Sequence, residues 1–320
     1  MNEISSATVS RPESTDLTKL FKPKTRGYIP RGLTLASVVI VAAILFVILG
    51  NIILNGIGVI NWDFLSKPPE NGMEGGGIFP AIFGTVALVI LMTIAVVPVG
   101  VLTAIYLQEY TSSTSKITRI IRLAINNLAG VPSIVFGLFG LGFFVGFVGN
   151  GMDALFSDST RPVWGQPAII WSSLTMALLT LPVVIISTEE ALRTIPPEIK
   201  DASYALGATK LQTIRKIILP QAMPGILTGA ILAVNRGAGE VAPIMFTGAA
   251  YYLPYLPTKL NDQFMELGYH IYVMATQSPD VEATKPILYG TVLVLLVLTF
   301  LLNFMAIFLR SRMRSKRVNN

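Results

Sequence analysis

Apolar residues run in six long blocks along this chain, and polar residues gather between them. A helix needs about 20 mostly apolar residues to cross a bilayer core. The stretches 33–54, 78–107, 124–148, 168–187, 225–246 and 286–309 meet that length. The second is long enough to tilt or to include an interfacial turn. A polar tail, 1–32, precedes the first block, and no small-residue cleavage motif follows it, so the block reads as a retained span. The tail itself is expected to be flexible. The pattern predicts an all-α membrane protein with six transmembrane helices, followed by a basic tail over 310–320.

Composition agrees with the pattern. Of 320 residues, 52% are hydrophobic and 13% charged, where globular chains carry about 25% charged residues. Too little polar surface remains to cover a soluble core, and the apolar content excludes a disordered chain. Cysteine is absent, which excludes disulfides and thiolate chemistry. His270 is the single histidine, so neither a multi-histidine metal site nor a Ser/His/Asp arrangement is expected. We expect no catalytic residue and no metal ligand.

The net charge of +6 takes its meaning from where the basic residues sit. Nineteen of the 24 lysines and arginines fall in the N-terminal tail, the second-to-third loop, the fourth-to-fifth loop and the C-terminal tail. Four, Lys67, Arg161, Lys259 and Lys285, fall in the other loops. Cytoplasmic loops are the basic ones, so both termini are expected inside. The basic excess is then topological, and no nucleic-acid partner is expected. Arg236 remains, within the fifth span. With Glu240 it makes the only pair of charges expected inside the spans.

Absences narrow the energy source. No G-x-x-x-x-G-K-[ST] phosphate loop occurs, so the chain is not expected to bind or hydrolyse ATP. No acidic cluster lies in the spans, as a proton- or sodium-driven relay would usually require. Energy is therefore expected from another subunit. The outer segment 247–285 carries Tyr251, Tyr252, Tyr255, Tyr269 and Tyr272, which suits either an aromatic belt or a docking surface. His270, in the same segment, is expected to be an ordinary surface histidine, with a docking contact as the alternative.

The fourth-to-fifth loop, 188–222, suggests two short helices. Pro196-Pro197 suits the start of one, and Gly207 suits the turn that ends it. Ala202, Ser203 and Ala205 are small, which lets a partner surface come close. Asp201-Ala202-Ser203-x-x-x-Gly207, nine residues, then Ile217-x-Leu219-Pro220 resembles the E-A-A-x(3)-G-x(9)-I-x-L-P loop of ABC importer permeases. Asp stands here for Glu, and Ser for the second Ala. The resemblance implies that Asp201, Ala202, Ser203, Ala205, Gly207, Leu219 and Pro220 couple the chain to an ATPase subunit.

The fifth span reads Asn235-Arg236-Gly237-Ala238-Gly239-Glu240-Val241-Ala242-Pro243. A charge at mid-membrane costs at least ~2.5–3.5 kcal/mol on insertion scales. Arg236 and Glu240 are four apart, so on a helix they share a face. Two readings stand: a structural ion pair, or an arginine that meets a passing anion with its five-donor fork. The two are compatible. Glycines and Pro132 in the third span suit tight packing, or a span bordering the path with Ser133 at the seam.

R-x-x-G-E-x-A-P with Phe246-Thr247 is similar to the phosphate-specific ABC importer permeases. So are Glu74-Gly75-Gly76-Gly77-Ile78, Ala104-Ile105-Tyr106-Leu107-x-Glu109-Tyr110 and Ala129-Gly130-Val131-Pro132-Ser133. The runs that begin at Glu74 and at Ala104 look closer to the PstA type than to the PstC type. The resemblance covers the chain from about residue 70 onward. It implies the type I ABC importer permease architecture, with Arg236, Glu240 and Ser133 on the substrate path. It also implies a second, PstC-like permease, two copies of a PstB-like ATPase that uses ATP and Mg, and an external PstS-like phosphate-binding protein, all set among membrane lipids. An importer of another oxyanion, sulfate or molybdate, and an ATP-independent secondary transporter are the alternatives.

Overall fold

A computed structural model describes residues 28–318, apart from Glu74, Ser113 and residues 157–160. The tail expected to be flexible lies, through residue 27, outside the described residues, and so does Glu74 of the glycine run. By chain contacts the molecule forms two units, 1–51 and 52–320. The described part of the first unit is the body of helix α1 (Tyr28–Gly56). Its window carries no charge and is long enough to span a membrane.

In the second unit a short helix α2 (Trp62–Ser66) and a two-residue hairpin, β1 (Pro69–Glu70) against β2 (Gly75–Gly76), lead into α3 (Phe79–Ile105). There follow α4 (Lys116–Leu128), α5 (Ser133–Gly140), α6 (Asn150–Phe156) and α7 (Ile169–Arg193). Helices α8 (Pro197–Ala205), α9 (Lys210–Thr213), α10 (Leu219–Gly237), α11 (Ala242–Thr247), α12 (Leu267–Gln277) and α13 (Val281–Val318) complete it. Six helical runs among the described residues are long and apolar enough to cross a membrane: 30–59, 79–110, 133–156, 169–193, 210–237 and 281–312.

Helices α3 and α7 pack along each other, and α10 lies on α7. Their core joins Leu88, Met92 and Val96 of α3 to Met176, Leu179 and Val184 of α7, Ala233 of α10 and Ile244 of α11. Small residues set the spacing, as expected where lipid supplies no hydrophobic drive between helices. A Cβ on Gly100 would stand 2.7 Å from Val184 Cγ1. Hydroxyls within this apolar core turn back on their own helices: Ser173 bonds Ile169 O, Thr175 bonds Trp171 O and Thr180 bonds Met176 O, at 2.7, 2.7 and 2.8 Å.

Two expected spans are interrupted. The third, 124–148, breaks between α4 and α5. Pro132 takes φ −57°, ψ 139° ahead of Ser133, because proline lacks the amide hydrogen that would continue α4 and biases its predecessor away from helix. The long run starts instead at Ser133 and reaches Phe156 through a widened turn over 141–149. The fifth, 225–246, breaks after Gly237, and α11 begins anew with Pro243 in its first turn. In compensation this run begins early, at Lys210.

Candidate functional site

Helix α10 delivers Arg236 in its last turn, where the negative end of the helix dipole favours a cation. The chain then leaves the helix, and Glu240 comes from the irregular link 238–241. The pairing across this break is direct, with Arg236 Nε 3.4 Å from Glu240 Oε1. The shared face expected of two helical residues is thus replaced by a contact between a helix end and a bent link. The side chains are 34% and 22% exposed, so the pair is open on one side. The two neighbouring glycines differ: a Cβ on Gly237 would stand 2.6 Å from the Met92 side chain, whereas Gly239 has nothing within 4 Å.

Ser133 opens α5 and is half-buried. One turn on, Gly137 lies against α11, where a Cβ would meet Ala242 O at 2.9 Å. The same helix that carries Ser133 therefore packs on the segment next to Glu240. Among the described residues no hydrogen bond joins Ser133 to Arg236 or Glu240. A Cβ on Gly140 would clash with Thr175, whereas Gly142 has open space. The glycines of this run thus divide between close packing and an open face.

The 188–222 segment folds as a tight hairpin. Pro196 precedes α8, and Gly207 ends it with φ +82°, a left-handed backbone that costs other L-residues roughly 1–2 kcal/mol. Thr209 and Gln212 form a reciprocal cap for α9. Asp201, Ala202, Ala205 and Gly207 are exposed. Ser203 points inward, its hydroxyl 2.9 Å from Thr213 Oγ1. Leu219 and Pro220 are half-buried at the start of α10, with Leu219 against the cluster of Ile105, Leu107 and Ile218. Leu206, at the tip, is 90% exposed. The motif gave no reason to single out this residue, but an apolar side chain just before a turn glycine is visible in the sequence.

Charges also lie where none were expected within the spans. Glu109 and Glu189 belong to the ends of the runs 79–110 and 169–193. Lys200 of α8 bonds Glu109, with little of either side chain exposed. The Arg122 guanidinium donates to Glu189 Oε1 (Nε, 3.2 Å) and to Leu107 O (Nη2, 3.1 Å). Arg122, Asn126, Glu189, Glu190 and Arg193 line a cavity of about 220 Å³. Spacing did not reveal the two ion pairs, Arg122–Glu189 and Lys200–Glu109, because they join residues 67 and 91 apart.

His270 departs most from expectation. It is 2% exposed, because it lies on the inner face of α12 rather than in a loop, and neither ring nitrogen has a partner among the described residues. Burial lowers its pKa to about 4. One turn earlier, Glu266 is 1% exposed and caps α12. Its Oε2 accepts from the Tyr269 amide at 2.7 Å, and burial raises its pKa to about 7.

Helix α3 sets the levels of these groups. Thr85 meets Glu266, Met92 meets Gly237, and the turn just beyond the helix supplies Glu109 to Lys200. At 1.5 Å per residue, the Arg236 level is about 10 Å from Thr85 and about 25 Å from Glu109.

Residues 96–315 match the family described as binding-protein-dependent transport system inner membrane component. The chain is 33% identical over 257 residues to "Probable ABC transporter permease protein YqgI" of Bacillus subtilis (strain 168), covering 76% of this chain and 82% of the relative. It is 31% identical over 268 residues to phosphate transport system permease protein PstA 2 of Mycobacterium bovis, covering 83% and 81%. A chain of a bacterial alginate ABC transporter, crystallised in complex with its alginate pentasaccharide-bound periplasmic protein, shares the fold. There the TM-score is 0.61 at 18% identity, over 88% of this chain and 94% of that one.

Proposed function

We propose that this chain, which belongs to the family of inner membrane components of binding-protein-dependent transport systems, is the PstA-type permease of an ATP-driven importer of inorganic phosphate. Its place in the family makes it a multi-pass permease subunit of an ABC importer, with the type I permease fold. The observation that carries the phosphate reading is the Arg236–Glu240 pair at the break between α10 and α11. A guanidinium held by one carboxylate, open on one side, keeps donors free to meet phosphate oxygens. The 31% identity to PstA 2 supports the same reading.

In this mechanism an external, PstS-like binding protein delivers phosphate to a path formed with a PstC-like second permease. Two PstB-like ATPase subunits bind ATP and Mg, and their closure moves α8 through the exposed face of Asp201, Ala202, Ala205 and Gly207. Ser203 fixes the hairpin from inside, while Leu219 and Pro220 carry the motion into α10. Alternating access follows, with both termini cytoplasmic in a bacterial inner membrane, as the basic loops support. Arg236 offsets the anion's charge in passing, and Ser133 borders the route. Retention there must be weak enough for release.

The test is ATP-dependent uptake by the reconstituted assembly. Arg236→Gln is expected to lower phosphate uptake at least about tenfold, ~1.4 kcal/mol of barrier, while the complex still assembles. Normal uptake in that variant overturns the path role. Competition by sulfate or molybdate as strong as by phosphate would reassign the substrate to another oxyanion.

A further inference from the structure

Four consecutive residues at the end of the 79–110 run each meet a cation, and each cation comes from a different helix. Leu107 O accepts from Arg122 Nη2 of α4 at 3.1 Å. Gln108 Oε1 accepts from Arg193 Nε of α7 at 3.5 Å. The Glu109 carboxylate accepts from Lys200 of α8. The Tyr110 ring faces Lys210 of α9, whose Nζ stands 4.6 Å from the ring centre.

The local chain explains the convergence. Residues 106–110 form a widened turn that continues α3 without a break and ends the run. Successive residues of a helix point about 100° apart, so four in a row reach four sides and four neighbours. The last carbonyls of a helix lack intrahelical partners. That of Leu107 is filled by Thr111 Oγ1, at 2.8 Å, and by Arg122. Arg122 is held in turn by Glu189, which also faces Arg193. The Glu109–Lys200 pair is little exposed, so salt screens it weakly.

Two of the four helices, α8 and α9, are the arms of the 188–222 hairpin. The hairpin is already joined to Arg236 through the chain itself, by α10. The turn offers a route through space. It belongs to the same run as α3, and α3 sets Met92 against Gly237, the neighbour of Arg236.

We propose that the turn 107–110 is a second joint between the hairpin and the path, with Glu109 and Tyr110 as its positioning residues. This deepens the reading above, in which the hairpin meets an ATPase, and rests on it. The ion pair fixes α8 and the ring fixes α9 against the end of α3. An ATPase seated on the hairpin therefore bears on α3 as well as on α10.

The test uses the reconstituted assembly with its ATPase. Phosphate moved per ATP hydrolysed should fall at least about fivefold in Glu109→Gln/Tyr110→Leu, the lower end of typical coupling between sites. Recovery of the ATPase and its hydrolysis of ATP should persist, because neither residue lies on the exposed face of the hairpin. A wild-type ratio in that variant overturns the proposal. Tyr110→Phe keeps a ring for Lys210 and should match the wild type, whereas Tyr110→Leu should not. Equal ratios in these two overturn the role of the ring. Hydrogen exchange gives a reading that phosphate does not enter. Adding the ATPase to the two-permease complex should slow exchange of the amides of 106–111 in the wild type but not in Glu109→Gln/Tyr110→Leu. Equal protection in both overturns the joint. A wild type that moves no phosphate removes the phosphate reading alone, and the exchange result then decides the joint.

Discussion

Glu266 and His270 sit one turn apart on α12 and draw stability in opposite directions with pH. The Glu266 pKa rises from the usual 4.5 to about 7 through burial. As pH climbs from 4.5 to 7 the unfolded chain loses a proton that the folded one keeps, so stability falls. The His270 pKa falls from 6.5 to about 4, also through burial. As pH drops from 6.5 to 4 the unfolded chain gains a proton that the folded one refuses, so stability again falls. Each effect amounts to about 3 kcal/mol when complete, and between pH 4.5 and 6.5 they cancel. Thermal melts of the wild type are therefore expected to be flat there. Glu266→Gln should melt higher with rising pH from 4 to 6.5, and His270→Phe lower with rising pH from 4.5 to 7. Parallel profiles for the two variants would refute the assignment. The sequence placed His270 in a polar outer segment, but which face of a short helix turns inward is decided by contacts from α3 and α13.

At the scale of elements, the long apolar runs were legible because a membrane helix must satisfy its own backbone and be apolar over its length. Pro196-Pro197 and Gly207 were legible as the ends of α8 because their constraints are local. The break after Gly237 was not. Apolar residues continue through Phe246, and the packing of α11 on α5 and α7 favours starting a new helix at Pro243. The docking of α8 is equally non-local, since it depends on Lys200 finding Glu109 at the end of the 79–110 run. Glu109 is the more buried partner, with 6% of its side chain exposed against 19% for lysine. Lys200→Met strands that carboxylate and should cost about 3 kcal/mol or more. Glu109→Gln should cost less, because lysine can reach solvent along its stem. Adding Glu109→Gln to Lys200→Met should restore part of the loss, and a double-mutant cycle on melting temperature reads the coupling. A double variant no better than Lys200→Met would show that the pair does not hold α8.

For the molecule as a member of an assembly, the exposed tip of the 188–222 hairpin is the informative surface. Leu206 has almost no contacts to lose within its own chain, so Leu206→Asp should change stability by no more than about 0.5 kcal/mol. It should nevertheless reduce recovery of the ATPase in a pull-down from mild detergent, while the second permease still co-purifies. Equal recovery of the ATPase would remove this tip from the proposed contact. What the sequence determined by itself was every property set by local chemistry or by the bilayer as solvent: six apolar runs, the basic loops, the turn residues of the hairpin, and an arginine and a glutamate four apart within a span. Tertiary structure alone decided where those runs break, which acids find cations and which are buried without one among the described residues. Those outcomes depend on desolvation by residues far away in the chain, and no spacing along one strand of sequence encodes which distant side chains will exclude water from a given carboxylate.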